Sequence, residues 1–268
     1  MIMDIFAQTF MQLALAAGVI SAGICAYLGV YVILKRIVFV GIALAELGAL
    51  GVALGFYFHW PLLLCATIMT FLGVLLFWVP LHLGSLTRES LIGFAYCLAA
   101  GLSLIILAKN PAVEAHGVDL ISGNLLYAQS GDLVVLLLLL VVLGGMHFAL
   151  FREFLFVSFD RETAQSLRLP AGFYDLLLYM SLGLAISLII KIVGILFVFA
   201  SLVIPPMVGL TLCRTTKRIF IASVLTAVLS IPAGLYISFQ WDLPSGPAVV
   251  AVYGIFLLVV FIIRFLKK

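Results

Sequence analysis

Apolar residues along this 268-residue chain come in long unbroken runs, without the regular polar alternation of a half-exposed helix or strand. The runs fall at about 8–34, 38–58, 61–82, 90–108, 132–150, 172–190, 192–212, 219–239 and 247–265. Each approaches the roughly 20 residues a helix needs to cross the hydrocarbon layer of a bilayer. Inside that layer the backbone has no water to bond to, so helices that satisfy their own N–H and C=O groups are the expected solution. The pattern therefore predicts an all-α polytopic bundle of about nine spans, one transmembrane domain over 1–268. The thinnest polar break is at Lys191, where no true loop separates the sixth run from the seventh, so one of these two is expected to be short or broken.

Composition agrees: 66% of residues are hydrophobic and 9% charged, against about 45–50% and about 25% in a soluble domain. The net charge of +3 does not mark a nucleic-acid partner, because Lys and Arg are scattered between apolar runs. Instead they give a direction. With nine spans, Lys35/Arg36, Arg88, Arg152/Arg161/Arg168, Arg214/Lys217/Arg218 and Arg264/Lys267/Lys268 share one side, twelve of the fourteen basic residues. The positive-inside rule makes that side cytoplasmic, with the N-terminus outside and the C-terminus inside. Met1 to Phe10 contains Asp4 but no basic residue, unlike a cleavable leader, so the first span is expected to be retained. Cys25, Cys65, Cys97 and Cys213 form no CxxC pair or metal-type spacing, and are expected to be small core residues.

The most informative polar stretch is Ser158 to Pro170. Asp160 can cap a short helix with Glu162 in its first turn, Ala164 and Leu167 lie three apart, and Pro170 stops it before the next span. An amphipathic helix against the inner membrane face is the expectation. Nothing in the chain matches GxxxxGK[ST], so any ATP is bound by another chain, and no catalytic triad or HExxH supports an intramembrane enzyme.

This stretch resembles the coupling region of permease subunits of zinc and manganese ABC importers. Other stretches resemble the same family in order: Gly29-Val-Tyr-Val-Ile-Leu-Lys-Arg36, Arg88-Glu-Ser-Leu-Ile-Gly93, Ile121-Ser-Gly-Asn-Leu-Leu126, Lys191-Ile-Val-Gly-Ile-Leu196 running into Ser201-Leu-Val-Ile-Pro-Pro206, and Asp242-Leu-Pro-Ser-Gly-Pro-Ala248. The resemblance implies a multi-pass subunit of a bacterial-type cytoplasmic membrane, forming a homodimer around a central pathway. Two cytoplasmic ABC ATPase subunits would sit below, and an extracytoplasmic solute-binding protein would deliver the substrate. No resident cofactor is implied; the divalent metal, zinc or manganese by default and iron as a further option, is cargo. Phe159, Asp160, Glu162, Ala164, Leu167 and Pro170 would form the ATPase-coupling segment, and Pro205 and Pro206 a broken helix beside the route. A plain interfacial helix and a plain proline kink are the structural alternatives.

Phe39-Val-Gly-Ile-Ala-Leu-Ala-Glu-Leu-Gly48 aligns with a family pattern that carries an Asp after its first Gly and a His four residues later. Here those positions hold Ile42 and Glu46. Residues four apart share a helix face, and a carboxylate within a span is a functional candidate because inserting a charge costs at least about 2.5–3.5 kcal/mol. Glu46 is the expected pathway ligand, with Ile42 beside it; two copies related by two-fold symmetry would suit a hard cation. The alternative role for Glu46 is hydrogen bonding between helices. Gly51 and Gly55 are expected to serve close helix packing. Glu114, His116 and Asp119 form an outer cluster that could receive a metal or be a solvated loop. His59, His82 and His147 are expected at span ends, Asp175 as a salt-bridged interfacial acid near Arg168, and Lys191 reaching the outer headgroups. The alternative functions are an ABC permease for a metal chelate or other small solute, an ion-coupled secondary carrier, and a non-transporting scaffold. A secondary carrier would ordinarily show several intramembrane acids and an internal repeat, and neither is visible.

Overall fold

The computed structural model describes residues 8–79, 87–109 and 125–266. Eleven helices run through them: α1 (Thr9–Leu34), α2 (Val38–Phe58), α3 (Leu62–Trp78), α4 (Arg88–Ala108), α5 (Ser130–Ala149), α6 (Phe151–Phe159), α7 (Arg161–Ser166), α8 (Ala171–Val193), α9 (Ile195–Leu212), α10 (Thr216–Trp241) and α11 (Ser245–Leu266), with a 3-10 turn at Leu125–Tyr127. Eight are long and apolar enough to cross a membrane. The ninth, α3, has 17 residues and so rises about 26 Å, just short of a bilayer's hydrocarbon thickness of about 30 Å. The nine-span expectation thus has a helix for every run.

Two compact units divide the chain. The first holds α1, the 3-10 turn, α9, α10 and α11, with the start of α5 and the last residues of α8. Here α9, α10 and α11 pack on one another, and Tyr31, Phe197 and Tyr253 are among the fully buried side chains. The Ser245 hydroxyl at the start of α11 accepts the Leu125 N–H. The second unit holds α2 with α3 and α4 each packed against it, the rest of α5 and α8, and the short α6 and α7. Its α3 and α8 are tied where the Trp78 indole N–H donates to the Gly172 carbonyl at 3.3 Å.

Helix ends explain several boundaries. Arg36, His59, Arg168, Asp242 and Gly194 have left-handed φ, between 50° and 82°, and each lies at or just beyond a helix end. That conformation lets the chain turn back and cover otherwise orphaned carbonyls. The break between the sixth and seventh runs is at Gly194, three residues beyond Lys191; glycine takes φ 82° without a Cβ clash. Lys191 sits in the last turn of α8, with its Nζ 3.9 Å from Asp132 Oδ1 on α5.

The broken helix expected at Pro205 and Pro206 is not found, since α9 continues through both. These prolines remove the donors that would reach the carbonyls of Ser201 and Leu202. Next to this gap α1 presents Gly29, where any side chain would collide with the Leu202 carbonyl oxygen and the Pro206 ring. Close backbone approach closes the helix surface that the missing hydrogen bonds leave uneven.

Candidate coupling segment and intramembrane acid

The segment Ser158 to Pro170 forms the expected short helix, and its cap is as anticipated. Asp160 takes an extended conformation; its carboxylate accepts the Thr163 N–H at 3.0 Å and the Thr163 hydroxyl at 2.6 Å. These bonds, the hydroxyl first, hold the Asp160 carboxyl below the usual carboxylate range. Glu162 is exposed, and its carbonyl accepts the Ser166 hydroxyl.

Two details differ from expectation. Ala164 is fully buried, clustered with Val157 and Ala171 and flanked by Phe156, Leu169 and Tyr174. Leu167, three residues on, is 64% exposed. It is already the C-cap and left-handed Arg168 follows, so helical periodicity no longer orients it. Pro170 does not end α7, which stops at Ser166; its carbonyl instead accepts the Phe173 and Tyr174 N–H groups and opens α8. The resulting short helix is fixed below by Ala164 and flanked by two exposed apolar residues, Phe159 and Leu167.

Charge fixes the same helix a second time. Asp175, in the first turns of α8, is buried. Lys35 Nζ is 2.5 Å from its Oδ1 and Arg161 Nε 3.3 Å from its Oδ2. The Lys35 ammonium also donates to the Val157 carbonyl at 3.3 Å. Asp175 is indeed salt-bridged, but by these residues and not by Arg168. The sequence left Lys35 as a topology charge; its partner is 140 positions away, and only the fold brings them together.

Glu46 lies near the middle of α2, half-buried. Among the described residues no hydrogen bond or ion pair reaches its carboxylate, so the helix-joining alternative gains no partner. Ile42, one turn earlier, is also half-buried and marks the same partly open face. On the covered side, a side chain at Gly51 would run into the Cys65 carbonyl on α3, so close packing accounts for that glycine. Among the described residues no group of three His, Cys, Asp or Glu side chains could hold a metal.

The remaining candidates separate cleanly. Glu114, His116, Asp119 and His82 lie outside the described residues. His59 caps the exposed end of α2 beside Trp60. His147 is buried, 3.1 Å from the Ser181 hydroxyl and stacked on Phe154 at 4.4 Å, which is a structural setting. Of the four cysteines, Cys25 and Cys65 are buried, Cys213 is intermediate, and Cys97 departs from the core expectation by being exposed.

The helical membrane fold agrees with a sequence comparison: the pattern of the ABC 3 transport family matches residues 7–264. The chain belongs to the ABC 3 transport family. This membrane-spanning family member is 26% identical over 264 residues to the probable iron transport system membrane protein of Haemophilus influenzae, covering 98% of this chain and 93% of that one. It is 27% identical over 265 residues to the manganese transport system membrane protein MntC of Listeria monocytogenes, covering 95% and 90%. The solved structure of PsaBC from Streptococcus pneumoniae in complex with Fab shares the fold, with TM-score 0.88 over 97% of this chain and 94% of that one at 21% identity.

Proposed function

We propose that this ABC 3 family permease works as a homodimer that passes a divalent transition-metal ion inward along its two-fold axis, driven by two separate ATPase subunits and supplied by an extracytoplasmic binding protein. The observation that carries the metal reading is Glu46, a half-buried mid-span carboxylate with no described partner. An acid with no partner among the described residues, placed within a span at such a cost, suits a role toward cargo. Related copies would offer a pair of carboxylates, which suits manganese or iron(II) ahead of zinc, whose preferred ligands are imidazole and thiolate. The names of the iron and manganese relatives support the same class.

The side that carries twelve of the fourteen basic residues is then cytoplasmic, which puts α7 where an ATPase would meet it. Exposed Phe159 and Leu167 on either side of α7, with Ala164 as its buried anchor, suit insertion into a groove on that partner. Ile42 and Glu46 line the route in this reading. Glu114, His116 and Asp119 would meet the metal at the outer mouth as it leaves the binding protein.

The test is uptake into proteoliposomes containing the permease, its ATPase and its binding protein, with manganese, iron(II) and zinc offered in turn. Uptake should require ATP and binding protein and should favour manganese or iron(II). ATP-dependent uptake of a chelate but of no bare ion would replace the ion reading with the chelate one. Uptake driven by an ion gradient without the ATPase would contradict both.

A further inference from the structure

We infer that Asp175 is the joint through which movement of α7 is passed to the α1–α2 turn, and so to the helix that carries Glu46. The inference rests on the reading of α7 as the ATPase-docking helix and adds the route by which docking would reach the pathway. Three observations carry it, all within one compact unit.

The first is that α7 has little freedom to move alone. Ala164 is buried against Val157 and Ala171, and Arg161, the first residue of the helix, holds Asp175 Oδ2. Packed cores shift between discrete arrangements more readily than they deform, so a push on exposed Leu167 moves Asp175 as well. The second is that the other oxygen of Asp175 holds Lys35, whose ammonium is also bonded to the Val157 carbonyl on α6. The side chains of Lys35 and Asp175 are only 12% and 10% exposed, so the pair is little screened by water or salt. The third is that Lys35 lies in the short connection between α1 and α2. There Arg36 is left-handed and the Val40 N–H returns to the Ile37 carbonyl. So short a connection has almost no slack, and a displaced Lys35 carries the first turn of α2 with it. Ile42 follows within that turn's reach and Glu46 one turn later.

Asp175 is accordingly a positioning residue. Its test reads the conformation of α2 in the intact complex, apart from fold stability. Ile42→Cys is introduced into the full chain, the permease is purified with its ATPase, and labelling of residue 42 by a water-soluble maleimide is followed by mass spectrometry with and without a non-hydrolysable ATP analogue. The expected rate change on nucleotide binding is about fivefold or more, the lower end of typical allosteric coupling. Asp175→Asn should reduce it to less than about twofold while the ATPase still copurifies, and Asp175→Glu should restore it. If Asp175→Asn does not assemble, Arg161→Gln takes its place, since that side chain is 54% exposed, and an intermediate response is expected. An undiminished response in Asp175→Asn or Arg161→Gln complexes that retain the ATPase overturns the joint and leaves the docking reading standing. An ATPase that binds and responds equally well when Leu167→Asp is introduced overturns the docking reading itself, and the joint with it.

Discussion

Asp175 and Glu46 are both acids withdrawn from water within the same compact unit, yet their surroundings are opposite. Asp175 has a cation on each oxygen, and one of those cations bonds a backbone carbonyl as well. Glu46 has no described partner. The difference separates an acid held by two cations from one that no described side chain or backbone group holds. Removing a buried partner leaves a stranded ion, whereas removing an acid with no described partner strands nothing among the described residues.

The comparison makes a ranked set of stability predictions. Asp175→Ala should cost the most, about 3–5 kcal/mol, because the largely covered Lys35 ammonium is left without its counter-ion; chemical or thermal unfolding in detergent measures it. Replacing the pair together, as Lys35→Met with Asp175→Leu, should recover stability to within about 1 kcal/mol of the parent, since apolar groups of similar volume usually substitute well for a buried ion pair. A double variant as unstable as Asp175→Ala would show that the pair is not the source of the loss.

Asp160→Ala should have a smaller and local effect, fraying α7 without unfolding the bundle, and hydrogen exchange of the α7 amides would detect it. The cap also gives a pH dependence of known sign. Because hydrogen bonds from Thr163 lower the Asp160 pKa in the folded state, its contribution is complete above the ordinary carboxylate pKa and is lost as pH falls through the depressed value. Protection of the α7 amides, taken relative to their intrinsic exchange rates at each pH, should therefore fall on acidification and stay unchanged when pH is raised from neutrality. Smallest of all, Glu46→Gln should change stability by less than about 0.5 kcal/mol, as for a site with no described partner to lose. A large loss there would erase the contrast with Asp175.

Most of the frame was open to a reader of the sequence, because the bilayer enforces it locally. Runs of apolar residues became α1 to α5 and α8 to α11 with ends displaced by a few residues, and Asp160 announced the start of α7. Interactions set by tertiary packing were not open in the same way. Nothing near Lys35 in sequence marks Asp175 as its partner. The two prolines of α9 advertise missing donors, but whether the helix breaks depends on what lies beside them, here Gly29. Leu167 repeats the spacing from Ala164, yet it points away because α7 has already ended. The substitution of Ile42 and Glu46 for an Asp and a His was visible from the family resemblance, but the absence of a described partner for Glu46 required the structure.

The direct test of the central claim is metal uptake by Glu46→Gln permease, reconstituted with the ATPase and binding protein and compared with the parent at matched protein content. The account predicts an uptake rate lowered about tenfold or more, as for loss of a coordinating group, with ATPase association and unfolding midpoint unchanged. Uptake at the parental rate by a fully assembled Glu46→Gln complex would contradict it.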